Sequence, residues 1–208
     1  KILIDIGPDF RTQMLDSNIH SIDNILITHQ HRDHTAGIDD LRPIYYFNKR
    51  PINIYAENRV IQALKQDFRY IFNSPDYPGK PQINLNLISD QSFKLAKCDI
   101  IPIRVMHYKL PILGYRIGDI SYVTDANFIS NEEKKKLIIS KILIINSLQK
   151  DPHISHYNLQ QSLNLIEELD PEKAYLTHIS HHMGTYNDVQ KELPENVYLS
   201  YDMLEVGI

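Results

Sequence analysis

Short apolar runs alternate with amphipathic stretches along the whole chain. Runs at 1–6 "KILIDI", 24–28 "NILIT", 52–55 "INIY", 83–88 "INLNLI" and 99–106 "DIIPIRVM" are rich in Ile, Leu and Val. They are too short for buried helices and are bounded by turn residues, which predicts strands. The same pattern predicts strands at 113–117, 120–124, 141–146, 173–177 and 197–200. Helical spacing predicts helices over 9–17 with Asp9 as cap, 57–72, 131–139 with Asn131 as cap, and 157–169, ending ahead of Pro171. The stretch 73–82, "NSPDYPGKPQ", holds three prolines and a glycine and reads as a plain solvent loop rather than a lid. Strands outnumber helices, helices recur between them, and the strands over 99–124 fall into hairpin-like pairs. The expected class is therefore α+β, with two packed sheets covered by helices rather than one doubly wound parallel sheet.

Composition adds limits. A chain of 208 residues, 42% hydrophobic and 23% charged, has the makings of one soluble globular domain. A net charge of −4 argues against a general binder of nucleic acid or of membrane surfaces. The longest apolar stretch, "KLIISKILIINS", is interrupted by Lys141 and is too short to cross a bilayer. Cys98 stands alone, which excludes an intrachain disulfide and any cysteine-rich metal site made by this chain alone. These features point to a cytoplasmic domain spanning 1–208. Its opening run, "KILIDI", already reads as a strand without an initiator Met, so the N-terminal part of the domain is expected to be missing.

The chemistry concentrates in "ILITHQHRDHTAG", residues 25–37, where His29, His31, Asp33 and His34 follow a strand at once. Alternate side chains at a strand end share a side, so His29 and His31 can converge on one ion. The chain then turns, which offers Asp33 and His34 to a neighbouring ion. Imidazoles suit Zn, Mn, Fe or Ni, and a carboxylate widens the choice toward harder ions. Two adjacent sites follow, each short of ligands. Three later strands run straight into a single ligand-type residue: "DIIPIRVM" into His107, "ISYVT" into Asp125 and "KAYLT" into His178.

These residues resemble the metallo-β-lactamase superfamily. The stretches "LIDIGPDFRTQML", "THQHRDHTAGIDDLRP", "LGYRIGDISYVTDAN" and "YLTHISHHMG" are similar to its phosphodiesterase branch, typified by phosphoribosyl 1,2-cyclic phosphate phosphodiesterase, and "YDMLEV" at 201–206 resembles that branch's last strand. The resemblance implies an αββα sandwich of two mixed sheets flanked by helices, with two divalent ions, Zn or Mn. His29, His31 and His107 would hold the first ion, Asp33, His34 and His178 the second, and Asp125 would bridge them. His156, in "HISHYNLQQSL", takes the place of the branch's catalytic histidine, a general acid for the departing alkoxide. Its alternative is a cap for the helix that follows. His153 is a weaker contender for the same role and reads as a loop residue. Asp5 resembles the superfamily's strand-end acid that orients the histidine loop. Arg42 and Tyr115 read as surface or packing residues, with contact to substrate phosphate as the alternative. Many members also hold a third, structural zinc through three N-terminal cysteines and a histidine at the position of His181. The resemblance places those cysteines within about forty residues ahead of Lys1.

The implied reaction is hydrolysis of a small or cyclic phosphate diester by attack of a metal-held hydroxide, with Asp33 a ligand rather than a general base. The implied partner is a small-molecule phosphodiester, with nucleic acid and membranes disfavoured and a homodimer compatible. Two rivals remain: a nuclease of the same superfamily, of the tRNA 3′-processing or exonuclease type, and a non-catalytic metal-binding domain. The acidic balance and the lack of a basic, aromatic-interleaved tract weigh against a large nucleic-acid footprint.

Overall fold

A computed structural model describes residues 1–74 and 78–207, so Pro75 to Tyr77 of the proline-rich stretch lie outside the described residues. The chain divides into two compact units, Lys1–Ser89 with the final residues from Glu205, and Asp90–Leu204.

The first unit holds β1 (Ile2–Ile4), α1 (Phe10–Asp16), β2 (Asn24–Leu26), α2 (Arg32–Thr35), a 3-10 segment (Ala36–Asp40) and α3 (Leu41–Asn48). β3 (Ile52–Ala56), α4 (Asn58–Asp67), α5 (Arg69–Phe72) and β4 (Ile83–Leu87) follow. The strands form one sheet in the order β1-β2-β3-β4. Every described pairing in it is parallel, and one row crosses it as Leu3, Ile25, Ile54 and Leu85. Alternation in β3 buries Ile52, Ile54 and Ala56, which pack with Phe10, Leu41, Val60 and Leu64 from the helices. Parallel strands end on the same edge, so Asp5 after β1 and the histidine run after β2 emerge together. The backbone N–H of Asp5 donates to the Leu26 carbonyl at 2.9 Å.

The second unit contains β5 (Phe93–Leu95), β6 (Cys98–His107), β7 (Leu110–Ile117), β8 (Ile120–Val123) and β9 (Phe128–Ile129). α6 (Asn131–Leu137), β10 (Ile142–Asn146), α7 (Leu159–Leu169), β11 (Lys173–Thr177), α8 (Tyr186–Glu192) and β12 (Val197–Leu199) complete it. Its sheet runs β12-β11-β10-β8-β7-β6-β5, with β9 also paired to β6. β8, β10, β11 and β12 are mutually parallel, whereas β7 is antiparallel to both β6 and β8. β6 and β8 therefore run the same way. The C-terminal ends of β6, β8, β10 and β11 share one edge, and there the chain places His107, Asp125, Asn146 and His178. The mixed character expected of both sheets thus shows in this one.

Helix α7 illustrates how sequence positions an element here. Asn158 accepts from the Gln161 N–H and Gln161 reaches back to the Asn158 N–H, a reciprocal capping box. Leu165, Ile166 and Leu169 then face the core with Val123, Leu143, Ile145 and Leu176. Ser162, fully buried, donates to the Asn146 carbonyl at 2.8 Å, tying the helix to the end of β10.

Several elements differ from expectation. Asp9 occupies the N-cap of α1 without a side-chain cap bond, because its backbone (φ −87°, ψ 5°) lacks the extended conformation a cap needs. Ser130, which is extended, caps α6 in place of Asn131 and accepts from the Glu133 N–H. The helix expected over 57–72 breaks at Phe68, where φ −112° and ψ 50° leave the helical region while Phe68 and Ile71 both enter the core. Residues 201–206 form a turn and irregular chain rather than a strand, with Met203 at φ 69° interrupting any extended run.

Candidate metal centre

In the first unit the histidine run is held from both sides. Asp5 is buried, and its Oδ1 accepts from the Thr28 N–H at 2.8 Å, while Oδ2 accepts from the Thr28 hydroxyl at 2.8 Å. Oδ2 also lies 2.7 Å from His34 Nδ1. A carboxylate only accepts, so that proton sits on Nδ1 and leaves the His34 Nε2 lone pair on the side of Asp33, whose Oδ2 is 3.3 Å away. The Thr28 hydroxyl, its proton committed to Asp5, accepts from His29 Nδ1 at 3.0 Å. Nε2 of His29 is likewise left with its lone pair. One carboxylate thus sets the tautomers of two histidines, directly and through Thr28.

The backbone fixes the rest. The Ile6 N–H donates to the His34 carbonyl at 2.8 Å and the Gly37 N–H to the Ile6 carbonyl at 3.0 Å. A Cβ on Gly7 would lie 2.6 Å from the Asp33 carbonyl oxygen, and one on Gly37 would lie 2.3 Å from the Gly7 oxygen. Only glycine permits that approach. His29 and His34 are buried, and His31 and Asp33 face solvent. The rings of His29 and His31 stand edge to face at 4.5 Å, and those of His29 and His34 lie 4.2 Å apart.

The second unit gathers the other candidates. His107 Nδ1 lies 2.9 Å from the Asp125 carbonyl and 3.0 Å from the Ser155 carbonyl. Both groups only accept, so Nδ1 carries the proton and the Nε2 lone pair is left for a ligand role. Asp125 is buried; its Oδ1 accepts from Thr124 and lies 3.1 Å from His178 Nδ1, and its Oδ2 lies 3.4 Å from His156 Nε2. Asn146 clamps the segment beneath, accepting from the Ala126 N–H at 2.8 Å and donating to the Ala126 carbonyl at 3.0 Å. His156 is buried between neighbours, its ring stacked on His178 at 5.0 Å and edge-on to His107 at 4.7 Å. It does not cap the following helix, since Asn158 does.

A backbone feature recurs at these strand ends. Asp5 (φ 58°), Asp125 (φ 56°) and His178 (φ 54°) are all left-handed, as is Tyr108 (φ 55°) next to His107. Asp and His enter this region more readily than most residues, yet it stays uncommon outside glycine. Three residues of candidate function in it mark strand ends, one in the first unit and two in the second, that are over-determined by their local surroundings.

The donor set suits divalent cations. Ligand atoms of His29 and His31 lie within 4.8 Å of one another, as do those of Asp33 with His34, His107 with Asp125, and Asp125 with His178. Nδ1 of His29, His34 and His107 is engaged by an oxygen, which presents Nε2 as an imidazole does toward a metal. Sequence reasoning missed Thr28, Asn146 and Ser155; their signal is a polar residue at an apolar strand end or beside a candidate histidine, and Thr28 and Asn146 are buried. His153, read as a loop residue, lies with its ring 5.1 Å from that of His156. Loss of hydration, with His156 and His107 nearby, pushes its imidazole below the ordinary histidine value, which favours the neutral form. Tyr115 is fully buried, a packing residue, and Arg42 is exposed on α3. His181 and His182 sit ring to ring at 3.9 Å, and no group of metal donors among the described residues includes them. No described helix is long and apolar enough to cross a membrane.

Comparison with known proteins gives three findings. A family described as "Beta-lactamase superfamily domain" matches residues 1–179. A crystal structure of a diphosphatase from the PhnP family superposes with TM-score 0.91 at 32% identity, covering 100% of this chain and 79% of that one. Among curated proteins, a Porphyromonas gingivalis protein named octanoyltransferase is 38% identical over 210 residues, which is 100% of this chain and 42% of that protein. A Methanococcus maripaludis ribonuclease Z is 27% identical over 117 residues, 54% of this chain and 37% of that protein. The chain spans less than half the length of either curated relative.

Proposed function

This chain belongs to the metallo-β-lactamase superfamily of metal-dependent hydrolases, in the branch of the PhnP-family diphosphatase, and from that membership we propose that it hydrolyses a small phosphate diester or related phosphoryl compound at a centre of two divalent ions. His29, His31 and His107 would hold one ion, Asp33, His34 and His178 the other, and Asp125 would be shared. Zinc and manganese both suit these donors. When bound, such ions lower the pKa of water and neutralise charge on phosphoryl oxygens.

The protein's own part falls to His156. Its Nε2 lies 3.4 Å from Asp125 Oδ2, the one observation that carries the proposal, because it sets a buried imidazole beside the carboxylate proposed to be shared. A proton on that Nε2 can pass to the departing alkoxide oxygen, turning a poor leaving group into an alcohol. Asp125 and Asp33 serve as ligands, and Asp5 with Thr28 holds the histidine run in its ligating tautomers.

A small substrate is favoured over RNA by the net charge of −4, although ribonuclease Z relatives share the chemistry. Acyl transfer, the activity named for the Porphyromonas gingivalis relative, belongs to a protein of which more than half lies outside the match. The test is hydrolysis of a five-membered ribose cyclic phosphate and of an aryl phosphodiester by zinc- or manganese-loaded protein, with His156→Ala beside it. Turnover is expected, falling about 10²–10⁴-fold in the variant at unchanged metal content. Inactivity toward both esters in protein holding two ions per chain would overturn the reading and favour a metal-binding module.

A further inference from the structure

We propose that His153, acting with the Ser155 hydroxyl, is a positioning residue that keeps a proton on Nδ1 of His156, so that proton exchange with substrate is confined to Nε2. The inference rests on the role given to His156 above and deepens it. Three polar atoms crowd that ring edge. Nδ1 of His156 lies 2.9 Å from Ser155 Oγ and 3.1 Å from His153 Nδ1, and Ser155 Oγ lies 3.3 Å from His153 Nδ1.

The proton positions follow from the valences. The Ser155 backbone N–H donates to His153 Nδ1 at 3.4 Å, so that nitrogen is an acceptor and the proton of the neutral ring sits on Nε2. Ser155 has one hydroxyl proton. Given to His153 Nδ1, it leaves the oxygen lone pairs to accept from His156. Both neighbours of His156 Nδ1 are then acceptors, and the nitrogen they face must donate. The order His156 Nδ1–H to Ser155 Oγ–H to His153 Nδ1 satisfies every group.

This order matters to a general acid. The charged imidazolium carries protons on both nitrogens, and after Nε2 gives its proton away the ring is left as the Nδ1–H tautomer. That tautomer is the one His153 and Ser155 accept from, so the ring need not flip or exchange protons at its rear edge during a cycle. Without His153, the serine proton is free to turn toward His156 Nδ1. The alternative tautomer is then admitted, whose single proton sits on Nε2 and could leave only by forming an imidazolate.

The position is open to test because His153 is exposed and has no part in either core cluster. The experiment compares wild type with His153→Ala and His153→Asn, the latter because an asparagine Oδ1 can stand where the histidine Nδ1 accepts. Long-range proton–nitrogen NMR of ¹⁵N-histidine-labelled protein, metal-free and zinc-loaded, reads the tautomer of His156, and aryl-diester hydrolysis gives kcat and KM separately. Wild type should show a protonated Nδ1 on His156. The alanine variant should show exchange-averaged nitrogens and about a tenfold lower kcat at constant KM, with asparagine restoring both. A His156 spectrum unchanged by His153→Ala overturns the proposal, as does asparagine behaving like alanine. An active His156→Ala enzyme would instead overturn the assignment of the acid, while the tautomer spectra still decide the role of His153.

Discussion

Replacing Asp5 by Asn separates the orientation of the histidine run from its packing. The amide is nearly isosteric, tolerates the left-handed backbone at this position, and can still accept from the Thr28 N–H through one oxygen. Its NH2 group replaces the oxygen that lies 2.7 Å from His34 Nδ1 and 2.8 Å from the Thr28 hydroxyl. Donor then faces donor unless His34 moves its proton to Nε2, the atom proposed to ligate. Two of three hydrogen bonds are lost or inverted in a buried place. Removing such a partner weakens metal affinity about 10–100-fold, or roughly 1.4–2.8 kcal/mol, since each factor of ten is about 1.4 kcal/mol. The unmet donors also reduce stability by about 1–3 kcal/mol. Zinc titration against a chromophoric chelator should show the ion held by His34 weakened by that factor and the ion held by His29 weakened less, through Thr28, and a urea melt of the metal-free protein should shift down. Two ions held with wild-type affinity by Asp5→Asn would refute the argument that this carboxylate sets the tautomer of His34.

Two further substitutions probe the frame. Gly37→Ala puts a methyl group 2.3 Å from the Gly7 carbonyl oxygen and 2.7 Å from Phe10 Cβ, and backbone has little room to yield. It should cost about 3 kcal/mol in chemical unfolding and displace the histidine run, lowering metal content; a stable variant with full metal would show the close approach to be dispensable. Asn158→Ala removes the capping box of α7 and should cost about 1 kcal/mol in a urea melt while leaving kcat nearly unchanged, because the helix is held by its apolar face as well.

What the sequence revealed followed the strength of its patterns. β2, β3, β6, β7, β10 and β11 are dense in Ile, Leu and Val between turn residues, and each was legible. The segment between His31 and Lys49 was not: it strings a four-residue helix, a 3-10 turn and a helix with Pro43 in its first turn, and no single period fits all three. β5 and β9 escaped for want of length, being made by pairing rather than by local preference. At the site, spacing and strand-end position singled out the ligand-type residues. The left-handed backbone of Asp5, Asp125 and His178 and the hydrogen bonds of Thr28 and Ser155 were invisible, because they depend on groups distant in sequence. The positioning role proposed for His153 was not legible for the same reason, since only the folded loop turns its ring edge toward His156.

The double anchoring of the histidine run has a consequence for how ions come and go. Where ligands sit on a mobile loop, an ion escapes by stepwise release, one donor swinging away while the others hold. Here the Asp5 carboxylate holds His34 directly and His29 through Thr28, and Gly7 lies close against the Asp33 backbone beside His34, so neither ring moves alone. Departure would require several hydrogen bonds to open at once, which makes release slow whatever the equilibrium affinity. Occupancy in a cell would then be kinetically trapped, reflecting the ion at hand when the chain folded rather than the ion that binds most tightly.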